Sequence, residues 1–215
     1  MRPARLAILD YGMGNLRSVA KALERVGATI EVTSAADRIR AAEGIVLPGV
    51  GAFPKAMGAV RERGLDGLID ERLAAGVPAL GICLGMQLLF QRSSELGGAA
   101  GLGVLEGPVE PLAADGLKLP QIGWNGVTWR RASRLTAGIP DACAFYHVHS
   151  FAPRPSNGAD VVGTASYGEE FVTAVEREPV YGLQFHPEKS GEYGLRLLAN
   201  FVAICGSAAA RPRAA

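Results

Sequence analysis

Pro78-Ala79-Leu80-Gly81-Ile82-Cys83-Leu84-Gly85-Met86-Gln87 starts as a short apolar run and passes, without a loop, into a helical pattern. An apolar run of this length bounded by Pro reads as a buried strand, and the residues after it predict a helix over 84–91. Cys83 then stands at the strand-to-helix corner. This is the cysteine counterpart of the nucleophile elbow, in which a tight turn lifts a nucleophile clear of the sheet. Gly81 and Gly85 suit such a turn, because neighbouring backbone comes too close for larger side chains. A helix N-terminus and a nearby imidazolium both favour thiolate over thiol. A free cysteine is often only a small core residue; here the flanking glycines tip the reading toward catalysis.

Strands and helices alternate on both sides of this corner. Residues 6–9, 29–33 and 44–47 read as strands, and Leu16, Val19, Ala20 and Leu23 recur at helical spacing with Gly27 as the stop. Further helices are expected over residues 54–63 and 65–75, and a last strand and helix over 180–185 and 191–205. The alternation predicts an α/β fold, with a mostly parallel central sheet covered by helices on both faces. Between residues 103 and 181 the pattern changes to short β-rich pieces (126–129, 161–167 and 171–176) separated by Gly, Pro and Asn turns. These read as antiparallel β additions to one side of the same domain. A single domain over residues 1–205 is expected. The tail, residues 206–215, is Ala, Arg and Pro without periodicity and is expected to be disordered.

The 215 residues are 48% apolar and 20% charged, ordinary values for a globular domain. Net charge is +1, with Lys and Arg scattered, so the basic face that nucleic-acid binding needs is missing. The longest apolar stretch, residues 80–90, is interrupted by Gly81, Gly85 and Gln87 and falls short of the ~20 residues of a membrane-spanning helix. The N-terminus runs straight into a strand, without the pattern of a signal peptide. Three cysteines, far apart, make no disulfide framework. A cytoplasmic enzyme fits these features, with neither nucleic acid nor membrane as partner.

A second chemical feature is Gln184-Phe185-His186-Pro187-Glu188, directly after the last strand. Pro187 biases His186 toward an extended backbone, in which His186 and Glu188 project to the same side. The carboxylate can then fix the imidazole tautomer and leave the other ring nitrogen for a thiol. His-Pro-Glu alone is often a polar loop; after a strand, in a chain with a cysteine elbow, it gains weight. His147, His149 and His186 lack the neighbours of a metal site, so no metal is expected. Gly12-Met13-Gly14 has Arg17 where a dinucleotide fingerprint has its third glycine, so no nucleotide cofactor is expected either. Cys143 and Cys205 sit in apolar contexts and read as packing residues.

With Gly81-x-Cys83-x-Gly85-x-Gln87 and His186-Pro187-Glu188 together, the chain resembles the triad (class I) glutamine amidotransferases over residues 4–205. The resemblance implies a flavodoxin-like domain that hydrolyses L-glutamine to glutamate and ammonia through a γ-glutamyl thioester. Residues 10–16, 47–53, 123–125 and 146–150 match one branch, the glutaminase subunits of imidazole glycerol phosphate synthase. For that branch the implied partner is a cyclase subunit, joined as a heterodimer, which receives the ammonia in histidine biosynthesis. Carried across by position, Cys83 is the nucleophile, His186 the general base and acid, and Glu188 the orienting carboxylate. The Leu84 N–H is one oxyanion donor, and the loop with Val50 and Gly51 supplies the other. Gly51, Gln87, Glu95 and Ser150 would hold the glutamine, while Asn15, Trp124, Tyr146 and Lys189 would face the partner. Sister branches serving anthranilate, guanylate or pyridoxal phosphate synthesis usually carry Pro-Gly-Gly where this chain has Pro48-Gly49-Val50. A stand-alone cysteine hydrolase would not need Gln87 and Glu95, and a non-enzymatic subunit would not need an intact Cys83, His186 and Glu188.

Overall fold

In the first half of the chain the apolar runs and helical spacings become β1 (Arg5–Leu9), α1 (Leu16–Arg25), β2 (Thr29–Thr33), α2 (Ala36–Ala41) and β3 (Gly44–Gly49). They continue as α3 (Phe53–Glu62), α4 (Leu65–Ala74), β4 (Ala79–Cys83) and α5 (Leu84–Leu88). This is a computed structural model, and it describes residues 3–209. The second half is mostly strand: β5 (Phe90–Ser93), β6 (Ala99–Ala100), β7 (Leu105–Pro111), β8 (Gln121–Gly126), β9 (Thr128–Trp129), β10 (Ala144–His149) and β11 (Phe151–Pro153). Then come β12 (Val161–Tyr167), β13 (Glu169–Arg177), β14 (Val180–Leu183) and α6 (Gly191–Ala209).

The central sheet runs β2-β1-β3-β4-β14-β13-β12-β9. From β2 to β14 the pairs are parallel, in the order of a flavodoxin-like sheet, and β13, β12 and β9 extend it antiparallel. Successive side chains of a strand point to opposite faces, and the two faces bury different layers. Leu6, Ile8, Val46, Leu80 and Ile82 pack with Val19 and Leu23 of α1 and Leu197 and Phe201 of α6. Ala7, Leu9, Ile45 and Leu47 pack with Phe53 and Val60 of α3 and Leu65 and Ile69 of α4. Fully burying a Leu, Ile or Phe is worth about 1.5–3 kcal/mol, so both faces of β1, β3 and β4 hold the sheet. Helices on both faces result from that, as the expected fold requires.

Three local expectations need correction. The helix after Cys83 stops at Leu88 instead of reaching residue 91. The carbonyls of Leu88, Leu89 and Phe90 accept from the N–H groups of Leu102, Leu105 and Gly103, so the next helical turn loses its bonds to strand pairing. Residues 126–129 are not one strand. The chain changes sheets at the buried Val127, with β8 in a two-stranded ribbon with β10 and β9 at the edge of the central sheet. A separate sheet, β11-β7-β5-β6, accounts for other short pieces, and in it β5 and β7 pair parallel while the other pairs are antiparallel. Thirdly, residues 206–209 continue α6, where Ser207 donates to the Ala203 carbonyl and accepts from Arg134. The rest of the expected disordered tail, residues 210–215, lies outside the described residues. No helix among the described residues is long and apolar enough to cross a membrane.

Candidate active site

Strands β3, β4 and β14 end side by side, with Gly49 opposite Cys83 and Leu183 opposite Ile82. Ligands of parallel α/β sheets bind beyond these carboxyl ends. Cys83 has φ 54 and ψ −115, a conformation that costs a non-glycine residue about 1–3 kcal/mol and persists only where the surroundings enforce it. The glycines show the enforcement. A Cβ on Gly85 would lie 1.7 Å from the Leu47 carbonyl oxygen, and one on Gly81 would lie 2.7 Å from the Gly85 oxygen. Strand β3, strand β4 and α5 therefore touch backbone to backbone, and the corner has one geometry. α5 is only 5 residues long, so it offers an anion the unpaired N–H groups of its first turn, Leu84 included, and little more.

The Cys83 side chain is buried, with Sγ 3.7 Å from the Val148 carbonyl and 3.8 Å from Gln184 Nε2. His186 lies just past β14, where its N–H donates to the Tyr146 carbonyl, and its Nδ1 lies 2.9 Å from Glu188 Oε1. The pair meets by a different route from the one expected. Pro187–Lys189 is a 3-10 turn with His186 as its N-cap, so Glu188 folds back onto the ring instead of sharing a face with it along an extended strand. Pro187 suits the first position of a helical turn, where no N–H is required. Ser190 locks the turn by donating from Oγ to the His186 carbonyl at 2.6 Å. Burial alone would lower the His186 pKa. Its hydrogen bonds and charge interactions with Cys83 and Glu188 outweigh this and push it up to about 9. Glu188 is almost wholly buried, and its Oε2 has no partner, so it answers chiefly to His186.

A cavity of about 330 Å³ opens over the sulfur. Val50, Gly51, Leu84, Gln87, Glu95, Ser150, His186 and Lys189 all line it with Cys83, so most of the expected site residues come together there. Gly51 has φ 106, a conformation that favours glycine. Two of the expected glutamine ligands are already engaged. Gln87 Nε2 donates to the Phe151 carbonyl and to Gln184 Oε1, and Glu95 Oε2 accepts from the Phe53 N–H at the start of α3. The expected partner-facing residues divide. Trp124 and Tyr146 meet edge to face at 6.1 Å, and Lys189 Nζ stands 5.7 Å above the Tyr146 ring. Asn15 is exposed at the start of α1, outside that cluster.

Burial holds His147 and His149 neutral, lowering them to about 3 and about 4. Both rings are engaged, His147 with the Phe145 carbonyl and Thr173 Oγ1, and His149 with the Phe151 carbonyl. Among the described residues no group of three His, Cys, Asp or Glu is placed to hold a metal. Sequence reasoning passed over Gln184, Val148 and His149. Gln184 had a signal, since it stands two residues before His186 in the same segment. The Val148 carbonyl had none, because a backbone contact across the fold leaves no mark on residue types.

This geometry is accompanied by close sequence relatives. The family model described as "Glutamine amidotransferase class-I" matches residues 7–205. An imidazole glycerol phosphate synthase subunit HisH from Moorella thermoacetica is 51% identical over 201 residues, covering 94% of this chain and 94% of the relative. The subunit of the same name from Bacillus cereus (strain G9842) is 47% identical over 200 residues, covering 93% and 94%. Among solved structures, PurLQS from Thermotoga maritima aligns with a TM-score of 0.76 at 22% identity, covering 95% of this chain and 99% of that one. A glutamine amidotransferase crystal structure aligns with a TM-score of 0.72 at 21% identity, covering 94% and 98%. The solved structures speak for the fold alone. The sequence relatives go further: the chain belongs to the class-I glutamine amidotransferases, in the group of imidazole glycerol phosphate synthase subunits HisH.

Proposed function

We propose that the chain hydrolyses L-glutamine at Cys83 and passes the ammonia to a cyclase subunit, its partner in a heterodimeric imidazole glycerol phosphate synthase of histidine biosynthesis. The observation that carries this is Cys83 at a sterically enforced elbow, with His186 and Glu188 behind it, in a cavity that Gly51, Gln87, Glu95 and Ser150 also line. The Cys83 thiolate attacks the carboxamide carbon of glutamine. The developing oxyanion takes N–H groups from Leu84 and from the loop of Val50 and Gly51, each donor being worth ~10²–10³ in rate. Protonated His186 gives its proton to the amide nitrogen, and ammonia leaves a γ-glutamyl thioester. Neutral His186 then removes a proton from water, which attacks the thioester, releases glutamate and frees the thiolate. Glu188 holds the ring and balances its charge in both steps. The carbonyl oxygen of Gln87, one carboxylate oxygen of Glu95 and the Ser150 hydroxyl are the groups assigned to the glutamine ends.

Trp124, Tyr146 and Lys189 stand together near the cavity, Lys189 lining it, and we assign them, with Asn15, to the partner interface. The three cysteines are free thiols, in keeping with a cytoplasmic setting. The test uses the reconstituted complex with each nitrogen source. Cys83→Ala should lose glutamine-dependent synthesis and keep the reaction driven by free ammonium. Glutamine use by that variant near the wild-type rate would overturn the assignment.

A further inference from the structure

Gln184 precedes His186 by two residues, yet no step of the hydrolysis uses it. Its side chain is fully buried, with Nε2 near the Cys83 sulfur. Which end of an amide faces a neighbour depends on its partners, and here the assignment runs back to a backbone carbonyl. The Phe151 carbonyl can only accept, so Gln87 presents Nε2 to it, at 2.9 Å. The other N–H of that group reaches Gln184 at 3.1 Å, and the atom receiving it must be Oε1. Gln184 is left with its own N–H groups toward Cys83. The Phe151 carbonyl also takes the Nδ1–H of His149 at 2.9 Å, so both of its lone pairs are used and its place in the network is fixed.

We propose that Gln184 donates a hydrogen bond to the Cys83 thiolate, and that Gln87 is the positioning residue that keeps the donor pointing at the sulfur. The proposal rests on the glutaminase reading for its purpose. A thiolate accepts far more strongly than a thiol, and burial strengthens the bond further. The Val148 carbonyl pulls the other way, since it accepts from the S–H of the thiol. The charged and titratable groups around the sulfur are His186 after β14 and Tyr11 after β1, with Glu95, Lys189 and His149 lining the same cavity. Tyr11 donates to the Pro48 carbonyl and is held protonated by burial and by Cys83. Gln87 would then do two things at once: its Nε2 aims the donor, while its Oε1 is left for the glutamine.

The measurement is the pH dependence of Cys83 alkylation by iodoacetamide in the full-length chain. Tracking the Cys83 peptide by mass spectrometry keeps Cys143 and Cys205 out of the signal. Gln184→Met should raise the midpoint by about one unit, a roughly tenfold change in the equilibrium between thiol and thiolate. Gln184→Glu should raise it at least as far, and Gln87→Met should raise it less. An unchanged midpoint in folded Gln184→Met would overturn the proposal. In the wild-type chain, the side-chain amide proton signals of ¹⁵N-labelled Gln184 should move with the alkylation midpoint. Signals that stay still overturn it even if neither Gln184 variant folds. Neither readout uses glutamine. A complex that shows these shifts and yet releases no glutamate refutes the glutaminase reading and leaves the donor intact.

Discussion

The floor of the cavity and its rim are built in opposite ways. The floor is Cys83, Gln87, Gln184, His186 and Glu188, whose side chains are buried and each bonded to another member or to backbone. Its shape is imposed by glycines whose neighbours leave no room for a Cβ. On the rim, Val50 is 43% exposed and Gly51 is held at φ 106, and beyond the lining residues Ile122 and Trp124 of β8 are 62% and 58% exposed. Ile122 and Trp124, two apart on β8, point to the same side of the strand, and Trp124 belongs to the interface proposed above. On the proposed function, the chemistry is preassembled in the floor, while the second oxyanion donor, assigned to Val50 and Gly51, belongs to the rim. Gly49 is fixed at the end of β3, whereas Gly51, at φ 106, has backbone freedom that other residues lack. On the proposed function, a partner that closes over the cavity selects the productive orientation of the loop with Val50 and Gly51.

The contrast breaks first if the floor is not a unit. His186→Ala removes the proton carrier and should cost about 10³-fold or more in kcat of the reconstituted complex. Glu188→Gln should cost less, since an amide can still hold the ring, although it cannot balance its charge. Equal losses in two folded variants would count against the hierarchy. Gly85→Ala should cost about 4 kcal/mol of stability, seen as a much lower Tm, because a Cβ would overlap a backbone oxygen of β3 that cannot move aside. A Tm within a few degrees of wild type would mean that the corner can relax.

The rim should behave in the reverse sense. Trp124→Ala should weaken partner binding about 30-fold, the scale of an aromatic hot spot, with stability changed by no more than about 0.5 kcal/mol. A lower Tm with unchanged affinity would make Trp124 part of the core.

The pH dependence of stability sets the histidines against one another in sign, each in its own pH window. His147 and His149 fold with pKa values of about 3 and about 4, below the ordinary 6.5, so the unfolded chain binds more protons as pH falls. Stability should fall on acidification from pH 6.5 toward 4, with a limiting slope of about 1.4 kcal/mol per pH unit for each ring. His186, raised to about 9, contributes stability that is whole below pH 6.5 and fades as pH rises toward 9. Denaturant titrations of wild type and His147→Gln at several pH values test this; an equal acid slope in both would show that His147 contributes nothing to it.

The same floor and rim differ in how far they could be read from the residues alone. Apolar runs such as 6–9 and 44–47 form strands because both their faces are buried, and a strand buried on both sides announces itself by composition. Cys83 between Gly81 and Gly85 was legible because the steric demand falls on neighbours in the chain. Strands β5, β7, β10 and β11 were not, since short pieces acquire strand character from distant partners, as when Leu102 and Leu105 take the carbonyls that α5 would have used. The engagement of Gln87 with Phe151 and Gln184 was hidden for the same reason. Its residue type suggested a ligand for glutamine, and only the folded chain reveals that one end of its amide is already bonded.

The division between a finished floor and an unfinished rim is tested most directly by glutamate release from glutamine. It is to be measured for the purified chain alone and again with the cyclase partner loaded with its own substrate. Slow release is expected from the chain alone, with stimulation of about 10²–10³-fold in the loaded complex, the worth of one oxyanion donor. Equal rates in the two conditions would contradict that division.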